Sequence, residues 1–195
     1  TVTSTTGNIG NAAQFTAANA ESLSRASSSD VQFGDTDFTL TTWVNAADLS
    51  VERTIVAKYL TAGDQRELVI RYVSSRFNII VSPLGTSGLV SLNANNLGAP
   101  SAGVWYFLVV YHDSVSNTLA ISATAAGSPS VTAFNTVAHS TGVFAGSGSF
   151  QVGAREATAY WDGAIDEVGF WRRVLTSDEI TELYQGGSGK TCCPF

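Results

Sequence analysis

The sequence of 195 residues has no methionine, and its only cysteines, Cys192 and Cys193, are adjacent and close to the end. Two neighbouring thiols cannot supply the four ligands of a structural zinc site, and no second Cys pair or nearby His completes one. We expect an exposed tail in which they pair with another chain or a downstream segment, or, less favourably, with each other. The missing initiator methionine indicates a processed product or an excised piece of a longer protein.

Charged residues are also scarce, at 13% of the chain, which is about half of the usual ~25%. The 16 acidic side chains outnumber the 10 basic ones and give a formal charge of −6. Because phosphate contacts need clustered Lys or Arg, the missing basic run argues against a nucleic-acid partner. Aromatic residues reach 10% of the chain, which excludes a disordered protein.

Long apolar runs are absent as well. The longest strongly apolar run, residues 104–111, has eight residues, whereas a transmembrane helix needs ~20, so no membrane span is expected. The length suits one domain with a core of its own. We expect residues 1–187 to form that domain and residues 188–195 to form a C-terminal tail.

Alternation of residues between two faces dominates the rest of the chain. In residues 38–44, one set (Phe38, Leu40, Thr42 and Val44) faces one way and the intervening residues face the other. Residues 68–72, 77–81 and 119–123 repeat this pattern, with turn-forming clusters between them. Strands that recur about every ten residues predict an antiparallel sandwich. Residues 104–111 are apolar on both faces and predict a central strand that is covered on both sides.

One helix interrupts the strand pattern near the end of the chain. Thr176 and Glu179 have the spacing of a capping box, and the glycines at 186–187 end the helix. Its apolar face consists of Ile180, Leu183 and Tyr184. We expect a helix of two turns that packs on the edge of the sandwich.

Four strings follow one another in a fixed order: GNAAQF at 10–15, FTLTTWV at 38–44, WYFLVVY at 105–111 and WDGAIDEV at 161–168, the last followed by RVLT and EI. Together they resemble the laminin-G-like, or concanavalin A-like, jelly-roll domains, over about residues 7–187. The resemblance implies an all-β, two-sheet antiparallel jelly-roll sandwich with one short C-terminal helix. The sequence departs from this family at Thr16, where an Asp is common.

The resemblance also implies one calcium ion (Ca2+) on the outer face, bound by an Asp of the closing strand and by loop carbonyls. Carried over by position, that Asp is Asp166, Asn19 or its neighbours provide the first loop, and Asp35 provides the turn before residues 38–44. Calcium takes six to eight oxygen ligands, many of them carbonyls, so a few carboxylates suffice. The alternative is that Asp166 caps a turn or pairs with Arg172 or Arg173.

Residues for catalysis are not found in a recognisable arrangement. Some jelly-roll relatives hydrolyse glycans with a Glu-x-Asp-x-x-Glu strand, and this spacing is absent here. Asp166 and Glu167 are neighbours and would point to opposite faces of a strand. The only histidines, His112 and His139, have no nucleophilic Ser or Cys motif near them in sequence. We therefore expect that the protein is not an enzyme.

Sugar-binding sites combine exposed aromatic side chains, on which sugar rings stack, with Asn and Asp side chains in loops. The candidates are Tyr59, Asn95, Tyr160 and Trp161. The alternative for each aromatic residue is packing in the core or at a sheet edge. Trp43 and Trp105 are expected in the core.

These patterns predict a lectin-like, non-catalytic recognition or adhesion module that is extracellular, on a cell surface or on a virion surface. A glycan or surface polysaccharide is the favoured partner, because related domains often bind carbohydrate. The alternative is a structural or assembly protein, such as a virion decoration protein, a fibre or a surface-appendage subunit. In that alternative, the Cys192–Cys193 tail would join it to other copies or to a larger assembly.

Overall fold

The computed structural model describes residues 1–86 and 88–192, and most of them form or connect β-strands. In chain order the strands are β1 (Thr3–Thr6), β2 (Asn11–Phe15), β3 (Leu23–Arg25), β4 (Phe38–Ala46), β5 (Arg53–Leu60), β6 (Gln65–Val73), β7 (Arg76–Val81), β8 (Val90–Asn93), β9 (Trp105–Asp113), β10 (Thr118–Ala125), β11 (Asn135–Ala138), β12 (Phe150–Val152) and β13 (Gly163–Trp171). The helical elements are α1 (Ser177–Tyr184) and the 3₁₀ turns Ala17–Asn19, Ser29–Val31 and Gln185–Gly187. Cys193 lies outside the described residues.

The strands form two antiparallel sheets that pack face to face. The seven-stranded sheet has the order β1-β2-β13-β4-β9-β10-β11, and the six-stranded sheet has the order β3-β12-β5-β6-β7-β8. The closing strand β13 lies between β2 and β4, so both ends of the domain belong to one sheet. The prediction of a two-sheet jelly-roll sandwich is confirmed.

The two faces of β4 and β9 are covered by different layers. Leu40 of β4 and Leu108 of β9 belong to the core between the sheets, whereas Trp43 and Phe107 belong to a second cluster on the outer side of the seven-stranded sheet. The apolar run 104–111 therefore forms a central strand that is covered on both sides, as its composition predicted.

Helix α1 provides the outer cover. The predicted capping box is present: the Glu179 N–H donates to Thr176 Oγ1 at 3.3 Å, and the Thr176 N–H donates to Glu179 Oε2 at 2.9 Å. The ring of Tyr184 stacks on Trp43 with 5.7 Å between centroids. Because Trp43 lies on a central strand, the helix packs on the face of the sheet and not, as expected, on its edge. Within the described residues, no helix is both long and apolar enough to span a membrane.

The six-stranded sheet contains, near the turn between β5 and β6, a buried ion pair that the strand pattern did not reveal. Lys58 of β5 contacts Glu67 of β6 and donates to the Gly146 carbonyl at 2.8 Å, and both side chains are 0% exposed. The segment 142–149 crosses this part of the sheet, and the Phe144 N–H donates to the Ser82 carbonyl at 2.7 Å. This segment thus covers the ion pair with the protein's own chain.

Candidate ligand-binding surfaces

Asp166, the predicted calcium ligand of the closing strand, is 5% exposed and faces the turn between β1 and β2. Its Oδ2 accepts a hydrogen bond from the Ile9 N–H at 2.9 Å. A Cβ at Gly7 would collide with this oxygen, so glycine permits the close approach of the turn. Burial raises the pKa of Asp166, and the hydrogen bond from Ile9 opposes that rise. Asp166 thus attaches the turn to β13, in agreement with the alternative prediction that it caps a turn.

The other two predicted ligands lie at opposite ends of the sandwich. Asn19 follows Phe15, which pairs with Gly163 at the start of β13, and its amide donates to Glu21 at 3.4 Å. Asp35 precedes β4 at the other end, beside the turn at Gly142. The nine residues of β4 span on the order of 25 Å. Asp166, Asn19 and Asp35 therefore do not form one site.

The donor set around Asp166 does not fit a calcium ion. Backbone N–H groups of Asn8, Ile9 and Glu167 stabilise its carboxylate, whereas calcium requires oxygen ligands. Across residues 1–86 and 88–192, no three His, Cys, Asp or Glu side chains are grouped so that they could hold a metal ion. Calcium binding elsewhere stays a prediction of the family resemblance.

Replacing Asp166 distinguishes the two roles. Asp166→Ala is expected to lower the free energy of unfolding by about 1–3 kcal/mol, because the partly buried Ile9 N–H loses its acceptor. The loss should be the same in calcium and in chelator, as measured by thermal denaturation. Asp166→Asn, which keeps an acceptor oxygen, is the matched control and should lose less. A loss confined to the calcium sample would make Asp166 a metal ligand.

Trp161 does not form the predicted sugar platform. Its side chain is 0% exposed and belongs to the core between the sheets, and its indole N–H donates to the Ala164 carbonyl at 3.3 Å. The polar residues before it form a surface loop, but the chain turns inward at Trp161, whose backbone N–H donates to Gly153. The prediction for this residue is wrong.

The remaining predicted sugar-binding residues are at the surface but not in one place. Tyr59 and Tyr160 are partly buried: the Arg155 guanidinium lies 5.5 Å from the Tyr59 ring, and the Tyr160 carbonyl accepts from Arg53 at 3.2 Å. Asn95 is exposed in the turn after β8, an edge strand that β6 and β7 separate from the strand of Tyr59. Their roles in ligand binding stay predictions.

A cavity of about 220 Å³ opens on the outer side of the seven-stranded sheet. Cross-strand pairing places Gln14, Ala164, Asn45 and Trp105 in one row across β2, β13, β4 and β9. This row lies two residues beyond the Trp43–Phe107 row that α1 covers. The lining residues are Thr5, Thr6, Gln14, Asn45, Ala47, Trp105, Gly163 and Ala164. Trp105, which was expected in the core, is only partly buried and lines this cavity.

Small residues and fixed amides give the cavity its shape and chemistry. Gly163 has a φ of +132°, and a Cβ there would collide with the Asn45 carbonyl oxygen, so this position requires glycine. The Asn45 amide donates to the Gly103 carbonyl and the Gln14 amide donates to the Phe15 carbonyl, each at 3.2 Å. These bonds orient both amides and leave their oxygens as acceptors. Every lining residue is uncharged, so the cavity suits an uncharged ligand with several hydroxyl groups.

The comparisons with known proteins agree with this architecture. A family model described as the concanavalin A-like lectin/glucanases superfamily (laminin G type) matches residues 20–181. No curated protein matches the chain.

Solved structures with the same fold have low sequence identity to this chain. Domain 4 of AbnA, a GH43 extracellular arabinanase from Geobacillus stearothermophilus, is 17% identical, with a TM-score of 0.61 over 93% of this chain and 80% of that one. The CBM40 of the Ruminococcus gnavus IT-sialidase is 13% identical, with a TM-score of 0.57 over 88% and 100%. A heptameric SAP-like pentraxin from Limulus polyphemus is 15% identical, with a TM-score of 0.54 over 78% and 72%. These likenesses concern the fold, and the family match covers most of the chain: the protein belongs to the concanavalin A-like lectin/glucanases superfamily.

Proposed function

We propose that the protein is a carbohydrate-recognition module that binds an uncharged glycan in the cavity beside Trp105. The observation that carries the proposal is a partly exposed indole next to two oriented amides and two threonines. An indole offers a flat apolar surface to the C–H face of a sugar ring, and the amides offer partners to its hydroxyls. The ligand would lie across β2, β13, β4 and β9.

The chemistry of the lining residues supports the proposal of binding without catalysis. Glycoside hydrolysis uses a pair of carboxylic acids on either side of the scissile bond. Among the described residues that line the cavity there is no carboxylic acid. The cavity is therefore suited to hold a glycan and lacks the groups that would cleave it.

Two relatives support a carbohydrate ligand, and one of them supports an extracellular location. The arabinanase domain was solved with arabinotriose, and its parent enzyme is described as extracellular. The sialidase module was also solved with α2,3-sialyllactose. For the present protein we propose the same setting, outside the cell, on a cell surface or on a virion surface.

A glycan array followed by titration tests the proposal. The purified domain is screened in calcium and in chelator, and the best neutral glycan is titrated against Trp105→Ala. We expect the dissociation constant to rise by roughly tenfold or more, because aromatic anchors dominate binding energy. Loss of binding in chelator would support the calcium that the family resemblance predicts.

The matched control is Trp171→Ala. Trp171 is also partly buried and also packs against the second cluster, but it lies at the far end of β13 from the cavity. Both variants should lose similar stability, and only Trp105→Ala should lose affinity. Equal affinity loss in both variants, or a wild-type domain that binds no glycan on the array, would contradict the proposal.

A second candidate function is that of a subunit in a larger assembly. The pentraxin with this fold is a heptamer, which supports this candidate. Cys192 lies beside α1, and its backbone N–H donates to Glu167 Oε2 at 2.7 Å. Sedimentation velocity of the full chain at micromolar concentration, with and without reductant, tests it. A monomer under both conditions would contradict this candidate.

A further inference from the structure

A cluster of charged residues lies on the outer side of the six-stranded sheet, opposite the face that carries the Trp105 cavity. Arg71 of β6 stands between Ile70 and Tyr72, which point into the core, so its own side chain points outward. Arg155, from the loop between β12 and β13, reaches the same surface. The arginine surface is defined here as Glu52, Tyr59, Arg71 and Arg155.

Two guanidinium groups share a single carboxylate oxygen on this surface. Arg71 contacts Glu52 Oε1 at 2.8 Å, and Arg155 contacts the same oxygen at 3.2 Å. Within the group two positive charges thus face one negative charge, and the next carboxylate, that of Glu156, lies beside Tyr59 and accepts two hydrogen bonds from Thr61. This occurs in a chain whose formal net charge is −6, so the local excess is opposite in sign to that of the molecule.

Neighbouring side chains hold both guanidinium groups in place. Arg71 Nε donates to Asn78 Oδ1 at 3.1 Å, and the Arg155 guanidinium lies 5.5 Å from the Tyr59 ring centroid. The Arg71 and Arg155 side chains are only 17% and 22% exposed. Partial removal from water strengthens their interaction with a ligand charge, and little side-chain order must be gained on binding.

Both guanidinium groups have N–H donors that are available to a ligand. A guanidinium has five N–H donors, and the contacts with described residues use two of those on Arg71 and one on Arg155. Its planar fork matches a carboxylate in two parallel hydrogen bonds. Next to it, Asn78 binds the exposed side chains of Ser91 and Asn93 at 2.9 and 2.7 Å, which adds hydroxyl and amide groups at the rim.

We propose that the arginine surface is a second glycan subsite, which takes a sugar through its carboxylate group. The inference rests on the proposed role in carbohydrate recognition, but it concerns another face and another ligand class than the uncharged cavity. Arg71 and Arg155 would bind the carboxylate of one sugar. Tyr59 on β5, and Ser91 and Asn93 on β8, lie on opposite sides of Arg71 and would contact the sugars linked to it. An acidic peptide could offer the same charge, but it would not use the hydroxyl-binding rim.

The test compares an acidic trisaccharide with its uncharged methyl ester and with an acidic peptide. Isothermal titration of the full chain is carried out with a galacturonic acid trisaccharide, with its methyl ester and with triglutamate. We expect the acid to bind, both other compounds to bind on the order of tenfold or more weakly, and the affinity for the acid to fall as salt is raised. Equal binding of the methyl ester would overturn the proposal, and equal binding of triglutamate would replace the sugar by an acidic peptide.

Single substitutions of the two arginines test whether the acid binds at the arginine surface. Arg155→Gln is expected to weaken binding of the acid on the order of tenfold or more, and Arg71→Gln is the second variant in case the first unfolds. Arg25→Gln is the matched control. Arg25 lies on the edge strand β3, away from the arginine surface, and forms an exposed ion pair with Asp30. Unchanged affinity in a folded Arg155→Gln protein would contradict the site.

The same proteins separate this inference from the proposal for the cavity. Arg155→Gln should leave neutral-glycan binding unchanged, and Trp105→Ala should leave binding of the acid unchanged. A wild-type protein that binds the acid but no neutral glycan would overturn the cavity site alone. A protein that binds neutral glycans but not the acid would overturn the arginine subsite alone.

Discussion

Lys58→Met is expected to lower the free energy of unfolding by about 3–5 kcal/mol at pH 8.5. The substitution removes the partner of Glu67 and leaves an ionised carboxylate in a site where both side chains are 0% exposed. The Gly146 carbonyl loses the hydrogen bond from Lys58 at 2.8 Å and keeps the one from the Gln32 amide at 3.0 Å. Urea denaturation followed by circular dichroism measures the effect.

The loss is expected to be smaller at pH 5.5. Burial raises the pKa of Glu67 from its usual 4.5 to about 7, although Lys58 opposes that rise. At pH values between 4.5 and about 7, the Glu67 carboxyl group therefore binds its proton more tightly in the folded protein than in the unfolded chain. The contribution of this group to stability is therefore present at acid pH and is lost as the pH rises through about 7. Without Lys58 the pKa of Glu67 rises further, so the carboxyl group is neutral at pH 5.5.

Two further variants separate charge from packing. Lys58→Met combined with Glu67→Leu removes both charges and is expected to be about as stable as the wild type, or more stable. Lys190→Met breaks the exposed pair with Glu182 and should cost less than about 1 kcal/mol. If the double variant lost as much as Lys58→Met alone, the buried charge would not be the cause.

The elements that local sequence patterns encode were predictable. Alternation identified β4, and the two-sided apolar run identified β9, because side chains alternate between the faces of a strand. The capping box identified the start of α1, because Thr176 and Glu179 satisfy each other's backbone N–H groups within one turn. In each case the interacting residues are close in sequence, so the pattern contains the whole interaction.

Burial of the tryptophans could not be predicted in the same way. Trp105 lies in an apolar run, yet it lines a cavity, because β13 contributes the small residues Gly163 and Ala164 to that cavity and leaves space there. Trp161 follows a polar loop, yet it fills the core between the sheets. The burial of each depends on residues that come from distant strands, and only the strand order brings them together.

Asp166 and the Lys58–Glu67 pair show the same limit for polar residues. The resemblance located Asp166 on the closing strand correctly, but the turn that its carboxylate binds comes from the start of the chain. For the ion pair a local signal existed: Lys58 and Glu67 each adjoin apolar residues in their strands. A charged residue in such a run either points outward or has a buried partner. Here the segment 142–149 covers the pair, so both side chains are buried.

Trp161→Ala is expected to lower the free energy of unfolding by about 3–5 kcal/mol, as large-to-small substitutions of buried aromatic residues do. The side chain is 0% exposed and belongs to the core between the sheets, and its loss leaves a cavity there. Trp161→Phe, which keeps most of the volume, should lose less. Urea denaturation gives these values, and titration well below the unfolding transition should show unchanged affinity for the neutral glycan. The opposite result would be a folded variant that loses less than about 1 kcal/mol of stability and also loses its affinity for the glycan. It would show that Trp161 belongs to the ligand-binding surface, because removing a side chain that fills the core costs more than this.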